Sequence, residues 1–275
     1  MVNFRYLIPR MIRHFMPESL ARWLLRRGWV IRPGLETRAP QEAVRRYQAT
    51  LQNKGVSIEG KRVLVFGYGS SFAVGCGLLR LGTGHVVLAE KADFYGDQSN
   101  HPLLAEYGEY LYLEDGYVKP NPKWITVFHG DILSAQAQQV IGEADVVLSS
   151  SVYEHLDAVE EITRALVSVT APGGVHLHYI DLRDHFFKYP FEMLCYSEKV
   201  WQKWLDPSSH HNRWRMNDYR QLFERYFSVV SLDVLARDES AFESAHPRIR
   251  SEFLTGDVQV DSVTLLQVFA TKPIK

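Results

Sequence analysis

The segment Val63-Leu64-Val65-Phe66-Gly67-Tyr68-Gly69 constrains this chain more than any other. A short apolar run, Arg62 to Phe66, ends in two glycines one residue apart and passes into a helical stretch from about Phe72 to Leu81. Glycine at a strand end permits positive φ and lets a ligand approach the backbone. A second strand, His85 to Ala89, ends in Glu90, 21 residues after Gly69. A carboxylate there accepts both hydroxyl protons of a ribose, so turn and acid together point to an adenosine-type ligand.

The type of nucleoside follows from what comes after the glycines. A dinucleotide needs a third glycine three positions after the second, so that the helix N-terminus meets the pyrophosphate closely. That position is the bulky Phe72, and no lysine follows in the form of a phosphate-cradling loop. A ligand without phosphates fits better, and S-adenosylmethionine is one.

The surrounding pattern is α/β. Further strands are expected at Trp124–Phe128, Ala144–Leu148 and Val175–Ile180, then at Val229–Leu235 and Val263–Ala270. Helices are expected at Leu156–Thr170, stopped by Pro172-Gly173-Gly174, and at Asn217–Phe227 with Asn217 as N-cap. Near-continuous apolar strands alternating with helices give a doubly wound, Rossmann-like, mostly parallel seven-stranded sheet. The last two strands, with no helix between them, give it an antiparallel C-terminal hairpin. Before it, helices are expected at Pro17–Gly28 and Pro40–Asn53, with a turn at Arg32-Pro33-Gly34. The expected division is an N-terminal helical flank or lid, 1–58, and a ligand-binding domain, 59–275. Segments 92–123 and 181–216 leave the carboxyl ends of strands, where such folds bind ligands; a third long segment runs 236–261.

Composition narrows the class. The 275 residues are 46% apolar and 23% charged with net charge −1, so the chain is globular and lacks the basic surface of a dedicated nucleic-acid binder. No apolar run reaches the ~18 residues of a membrane span. Two cysteines, Cys76 and Cys195, build neither a disulfide scaffold nor a Cys-rich zinc site and fit a reducing, cytoplasmic setting. Cys76, within Gly75-Cys76-Gly77, reads as a small packing residue. Residues 1–50 carry net +7 and the rest −8. Arginines among Phe4, Tyr6, Leu7, Ile8, Met11, Ile12 and Phe15 read as a solvated helix face or as a peripheral contact with a membrane or an anionic acceptor. Arg5, Pro9, Arg10, Arg13 and His14 interrupt any secretory signal; a mitochondrial-type presequence stays open on composition, with Pro9 and Pro17 breaking its helix.

At these motifs the chain resembles the class I S-adenosylmethionine-dependent methyltransferases. The resemblance spans about Gly60 to Thr271 and rests on VLVFGYGSS at 63–71, Glu90, HGDI at 129–132, ADVVLSSSVYEHL at 144–156, APGGVHLHYID at 171–181 and the NDYRQLFERYF helix. It implies that the backbone at Gly67, Tyr68, Gly69 and Ser70 faces the methionine part of the cofactor. Glu90 would hold the ribose, Asp131 and the Ile132 amide the adenine, and the Ser149 carbonyl the amino group. Two positions depart from the family. Val65 stands where an acidic residue is usual and Ser71 where a third glycine is, which leaves the amine anchor to another group.

Methyl transfer needs a positioned nucleophile and, for a hydroxyl, a nearby base. Strand ends supply His155 beside Tyr153 and Glu154, and His178, Asp181 and His185 with Asp184 nearby; His155, His178, Asp181 and His185 are the catalytic candidates. Each has an ordinary alternative: capping or packing for His155, core hydrogen bonding for His176 and His178. A metal site at His176, His178, Asp181 and His185 is the less common alternative. Aromatics from Phe186 and Phe187 through Tyr189, Phe191, Trp201 and Trp204 to Trp214 form either an acceptor wall or a satellite core. The expected function is methyl transfer from S-adenosylmethionine to a small or medium acceptor, with oxygen favoured. The alternatives are an NAD(P)-dependent oxidoreductase and a non-catalytic methyltransferase-like module.

Overall fold

The computed structural model describes residues 3–17, 19–20, 23–24, 35–91, 99–186, 188–207 and 210–274. Most of the expected helix 17–28, the turn 32–34 and Phe187 lie outside them. Seven strands form one sheet: β1 (Arg62–Phe66), β2 (His85–Glu90), β5 (Ile125–His129), β6 (Ala144–Ser150), β7 (Thr170–Asp181), β8 (Phe227–Arg237) and β9 (Val263–Pro273). Their order is β5-β2-β1-β6-β7-β9-β8, parallel up to β7 and antiparallel for β9 and β8. β1 is buried along Val63–Phe66 because both of its faces are covered by helices. Each such buried valine or leucine contributes about 1.5–3 kcal/mol.

The main helices are α1 (Phe4–His14), α2 (Pro40–Asn53), α3 (Ala73–Arg80), α4 (Ala135–Ile141), α5 (Val159–Ser168), α6 (Met216–Tyr226) and α7 (Glu239–Ala245). Two large clusters of buried side chains lie on the sheet's two faces. One includes Val63, Val65 and Leu88 with Ala43, Val44, Tyr47 and Leu51 of α2. The other includes Leu64, Val87 and Val147 with α5 and α6. Hence α2, from the N-terminal flank, shares a core with β1.

The structure differs from expectation at particular points. α1 forms despite Pro9, which removes one helical hydrogen bond. Tertiary contacts hold it: Tyr6 is fully buried and stacks on Tyr196, and Arg10 pairs with Asp184 at 3.2 Å and lies 4.8 Å over Trp201. α6 begins one residue early, with Arg215 as N-cap; its N–H donates to the Asp218 carboxylate at 2.7 Å, a role expected of Asn217. β7 starts at Thr170 and carries Pro172-Gly173-Gly174 through an irregularity in its pairing with β6. Segment 92–123 contains an unexpected hairpin, β3 (Leu111–Glu114) and β4 (Tyr117–Pro120). Segment 181–216 builds a third core with Phe191, Met193 and Trp201 around Phe242 of α7. The aromatic segment is therefore a satellite core at Phe191 and Trp201, while Trp214 packs against Tyr219.

Candidate active site

The strand order lines up the carboxyl ends of β5, β2, β1, β6 and β7, and the expected cofactor residues follow that row. Asp131 and Ile132 come after β5, Glu90 ends β2, the glycine turn follows β1, and Ser149 lies at the end of β6. Glu90 and His129 are directly paired neighbours. The reversal between β1 and β6 is the crevice where open α/β sheets bind ligands.

The turn is built for close approach. Gly67 and Gly69 have φ of +83° and +68°, and Ser70 shares the left-handed region at +63°. A Cβ on Gly67 would stand 2.2 Å from Cγ2 of Val152, so only glycine fits there. The Gly69 N–H donates to Glu90 Oε2 at 3.2 Å and the Lys91 N–H to Oε1 at 3.0 Å. Burial raises the Glu90 pKa and these two amides oppose the rise. Tyr68 is buried, stacks on His129 and shares a 2.7 Å hydrogen bond with its Nε2. Ile132 is buried; Asp131 is exposed, its Oδ1 accepting the Leu133 N–H at 2.9 Å.

Three residues that the sequence reading omits complete this half. Asn100, buried, accepts the Phe72 N–H at 2.9 Å and donates to the Ser70 carbonyl at 3.1 Å. An amide at the helix start, where a pyrophosphate would lie, is thus already engaged by the protein. Arg46 of α2 donates to Ser150 Oγ at 2.7 Å and lies 3.7 Å over the Tyr179 ring. Glu36 is buried and accepts the Tyr47 hydroxyl. Burial pushes its carboxyl up to about 8, against the pull of Tyr47 and Arg46. Glu36 Oε2 and Arg46 Nε have no hydrogen-bond partner among the described residues.

The catalytic candidates separate into two groups. His178 is fully buried in a chain with one proton order. Thr170 donates to the Leu166 carbonyl (2.7 Å) and accepts from His176 Nε2 (2.8 Å); His176 Nδ1 accepts from His178 Nε2 (3.1 Å), and His178 Nδ1 accepts from Ser149 Oγ (2.7 Å). Burial lowers the pKa of His176 to about 3; it lowers that of His178 well below normal, and neighbouring His176 adds to this. Both nitrogens of His178, a catalytic candidate from the sequence, are thus engaged inside the core. Asp181 is similarly committed: it takes Nε and Nη2 of Arg183 at 2.9 and 2.6 Å. Asp184 is buried against Arg10 and Tyr6.

His155 and His185 instead come together, ring centroids 4.7 Å apart, with His211 5.7 and 5.1 Å from them. Glu154, 1% exposed, lies beneath, its Oε1 4.0 Å from His185 Nε2 and neither of its oxygens hydrogen bonded. Burial raises the Glu154 pKa well above normal, and Asp181 adds to it. Burial lowers the pKa of His185 and His211, with the neighbouring imidazoles contributing. A cavity of about 390 Å³ lined by Gln48, Leu51, Ile58 and Leu81 lies at the opposite, amino-terminal end of β1.

No protein-family model and no curated protein matches this chain. Solved structures do. It is similar to a candidate sarcosine dimethylglycine methyltransferase from Galdieria sulphuraria, with TM-score 0.55 and 12% identity over 93% of this chain and 98% of that one. It is also similar to magnesium protoporphyrin IX methyltransferase from Synechocystis PCC 6803 with bound SAH, with TM-score 0.50 and 15% identity over 96% and 98%. At such identities the likeness establishes architecture, and the chain has the fold of the class I S-adenosylmethionine-dependent methyltransferases.

Proposed function

We propose that this protein transfers the methyl group of S-adenosylmethionine to an oxygen of a small or medium-sized acceptor. The observation that carries the reading is the contact between Glu90 and the Gly69 amide at neighbouring strand tips within this fold. The residues fit the cofactor. Gly67 leaves no room for a side chain, Glu90 offers oxygens to the ribose, and Asp131 and Ile132 flank the adenine position. Val65 brings no acid to the methionine end, but Glu36 Oε2 and Arg46 Nε have no hydrogen-bond partner among the described residues and offer an acceptor to an amine and a donor to a carboxylate. When bound, the sulfonium supplies an electrophilic methyl group. The chain's part is alignment: the glycine turn and Glu90 fix the donor, and residues beyond β6 and β7 hold the acceptor in line, worth up to about 7–11 kcal/mol for well-oriented partners. The imidazole cluster at His155, His185 and His211 supplies the lone pairs that an oxygen nucleophile needs as it loses its proton.

Isothermal titration with the demethylated cofactor tests this reading. Glu90→Gln weakens binding by ~100-fold, because an amide replaces a charged acceptor worth about 1.5–3 kcal/mol per hydrogen bond. An unaffected Glu90→Gln variant, or selective stabilisation by NAD in a melting experiment, overturns it. Binding without turnover would favour the non-catalytic module. The Asn100 contact to the Phe72 amide disfavours the nicotinamide alternative. The free thiols Cys76 and Cys195 fit a cytoplasmic setting.

A second reading concerns location. Phe4, Ile8, Ile12 and Phe15 are exposed along one face of α1 and its end, beside arginines. No described helix is long and apolar enough to cross a membrane. We propose that this face rests on an anionic lipid surface. Co-sedimentation with phosphatidylserine vesicles, lost in Ile8→Asp/Ile12→Asp, is the expected result; equal recovery of both proteins in the supernatant excludes it.

A further inference from the structure

We propose that Glu154, His155 and His185 form a binding site for a divalent transition-metal ion, of which zinc suits the donor set best. The three residues offer one carboxylate oxygen and two imidazole nitrogens, all within 4.8 Å of one another. Glu154 and His155 occupy the turn Tyr153–His155 directly after β6, and His185 follows β7 by four residues, so neighbouring parallel strands deliver the donors to one point.

Glu154 is the reason to place a cation there. Its carboxylate is 1% exposed and neither oxygen has a hydrogen-bond partner among the described residues. An ionised carboxylate buried without compensation costs several kcal/mol, so such a group stays protonated or faces a positive charge. Among the described residues no arginine or lysine comes within ion-pairing distance of Glu154, and Arg183 acts on it only from farther away; His185 Nε2, at 4.0 Å, is too distant for a hydrogen bond. Three imidazoles are a poor substitute for a cation.

The surroundings match those of metal-bound histidines. His155 Nδ1 donates to the His210 carbonyl at 2.8 Å, which fixes the tautomer with the proton on Nδ1. A backbone carbonyl holding the far nitrogen is the usual outer support of a histidine ligand. His211 is arranged likewise: its Nε2 donates to the Arg183 carbonyl at 2.9 Å, and its buried Nδ1 has no partner. Donors at about 2.0–2.2 Å from a zinc ion stand ~3.3 Å apart in a tetrahedron, so side-chain shifts of about 1 Å close the site. Two nitrogens and a carboxylate leave coordination positions open, as in catalytic rather than structural zinc sites.

The position gives the ion a use. Val152, two residues before Glu154, packs against Gly67 of the glycine turn, so the metal lies one strand from the donor end of the site. Resting on the methyl-transfer reading above, an open position there takes an oxygen of the acceptor. His155 and His185 then act on the acceptor through the ion, and His211 Nδ1 remains as the proton acceptor.

Untagged protein stripped with chelator and titrated calorimetrically with ZnCl2, MnCl2 and MgCl2 provides the test. One Zn2+ per chain is expected, more tightly held than Mn2+ and far more than Mg2+. Glu154→Gln, which keeps the shape and removes the charge, and His185→Gln each weaken zinc at least 100-fold, while His246→Gln, remote from the cluster, leaves it unchanged. Circular dichroism confirms that each variant is folded. Titration of the same variants with the demethylated cofactor separates the two readings: Glu154→Gln retains cofactor binding and Glu90→Gln retains zinc. Absence of stoichiometric zinc binding, or equal affinity in folded Glu154→Gln and His185→Gln, overturns the proposal whatever the cofactor result.

Discussion

Two histidine groups lie on or just beyond β6 and β7 and have opposite environments. His176 and His178 sit within β7, fully buried, and every ring nitrogen has a partner from Thr170, Ser149 or the other ring. His155, His185 and His211 sit in the connections beyond β6 and β7, around a carboxylate with no hydrogen bond and beside an imidazole nitrogen, His211 Nδ1, that also lacks one. Residue type does not separate the groups, since both are imidazoles near hydroxyls or acids in the sequence. Closure does. A polar group whose bonds are all met inside the fold stabilises it; one left with unmet capacity costs about 1–3 kcal/mol and persists where a ligand meets it.

The comparison breaks most visibly at His178. His178→Ala deletes a ring packed 4.6 Å from Tyr153 and leaves both the Ser149 hydroxyl and His176 Nδ1 without partners. The expected loss is about 3–5 kcal/mol, the sum of a large-to-small core change and stranded polar groups. Urea unfolding measures it, and a loss below ~1 kcal/mol would remove His178 from the structural group.

The buried pair also sets the acid side of the stability curve. Folded His176 titrates at about 3, and an unfolded histidine near 6.5. Between those values the unfolded chain holds the proton that the folded chain refuses, so stability rises with pH in this window and is lost as pH falls through it. The slope approaches ~1.4 kcal/mol per pH unit for each such histidine. His176→Gln shallows the limb by its share; an unchanged limb in unfolding curves taken at pH 3.5, 5 and 6.5 contradicts the assignment.

What was legible in the chain follows the same division between local and assembled features. The parallel strands, the glycine turn and the Glu90 position are readable because each is a run or a spacing within one βαβ unit. Asp115-Gly116 carries the strongest short-range hairpin signal, and both residues take positive φ, yet the hairpin lay in a segment read only as a long connection. Glu36, Arg46 and Asn100 reach the site from elements that meet only after folding, and no spacing links them to the glycines. The fate of His178 was unreadable for a related reason. Its partners Ser149 and His176 come from an adjacent strand and the same strand face, and only the packing of Tyr153 and Phe223 over them decides that water is excluded.

The smallest expected effect sharpens the comparison from its other side. His185 lies on the connection after β7 with its side chain 31% exposed, and its contact with Glu154 is too long to be a hydrogen bond. In metal-free buffer, His185→Gln therefore shifts unfolding stability by no more than about 1 kcal/mol, within the range of partly exposed substitutions. If His185 were instead a protonated partner neutralising Glu154, its loss would strand a buried charge and cost about 3–5 kcal/mol, as broken buried pairs do. The same urea titration that registers His178→Ala thus distinguishes a histidine that completes the core from one that does not neutralise Glu154. A cost at His185 equal to that at His178 would merge the two groups into a single structural network.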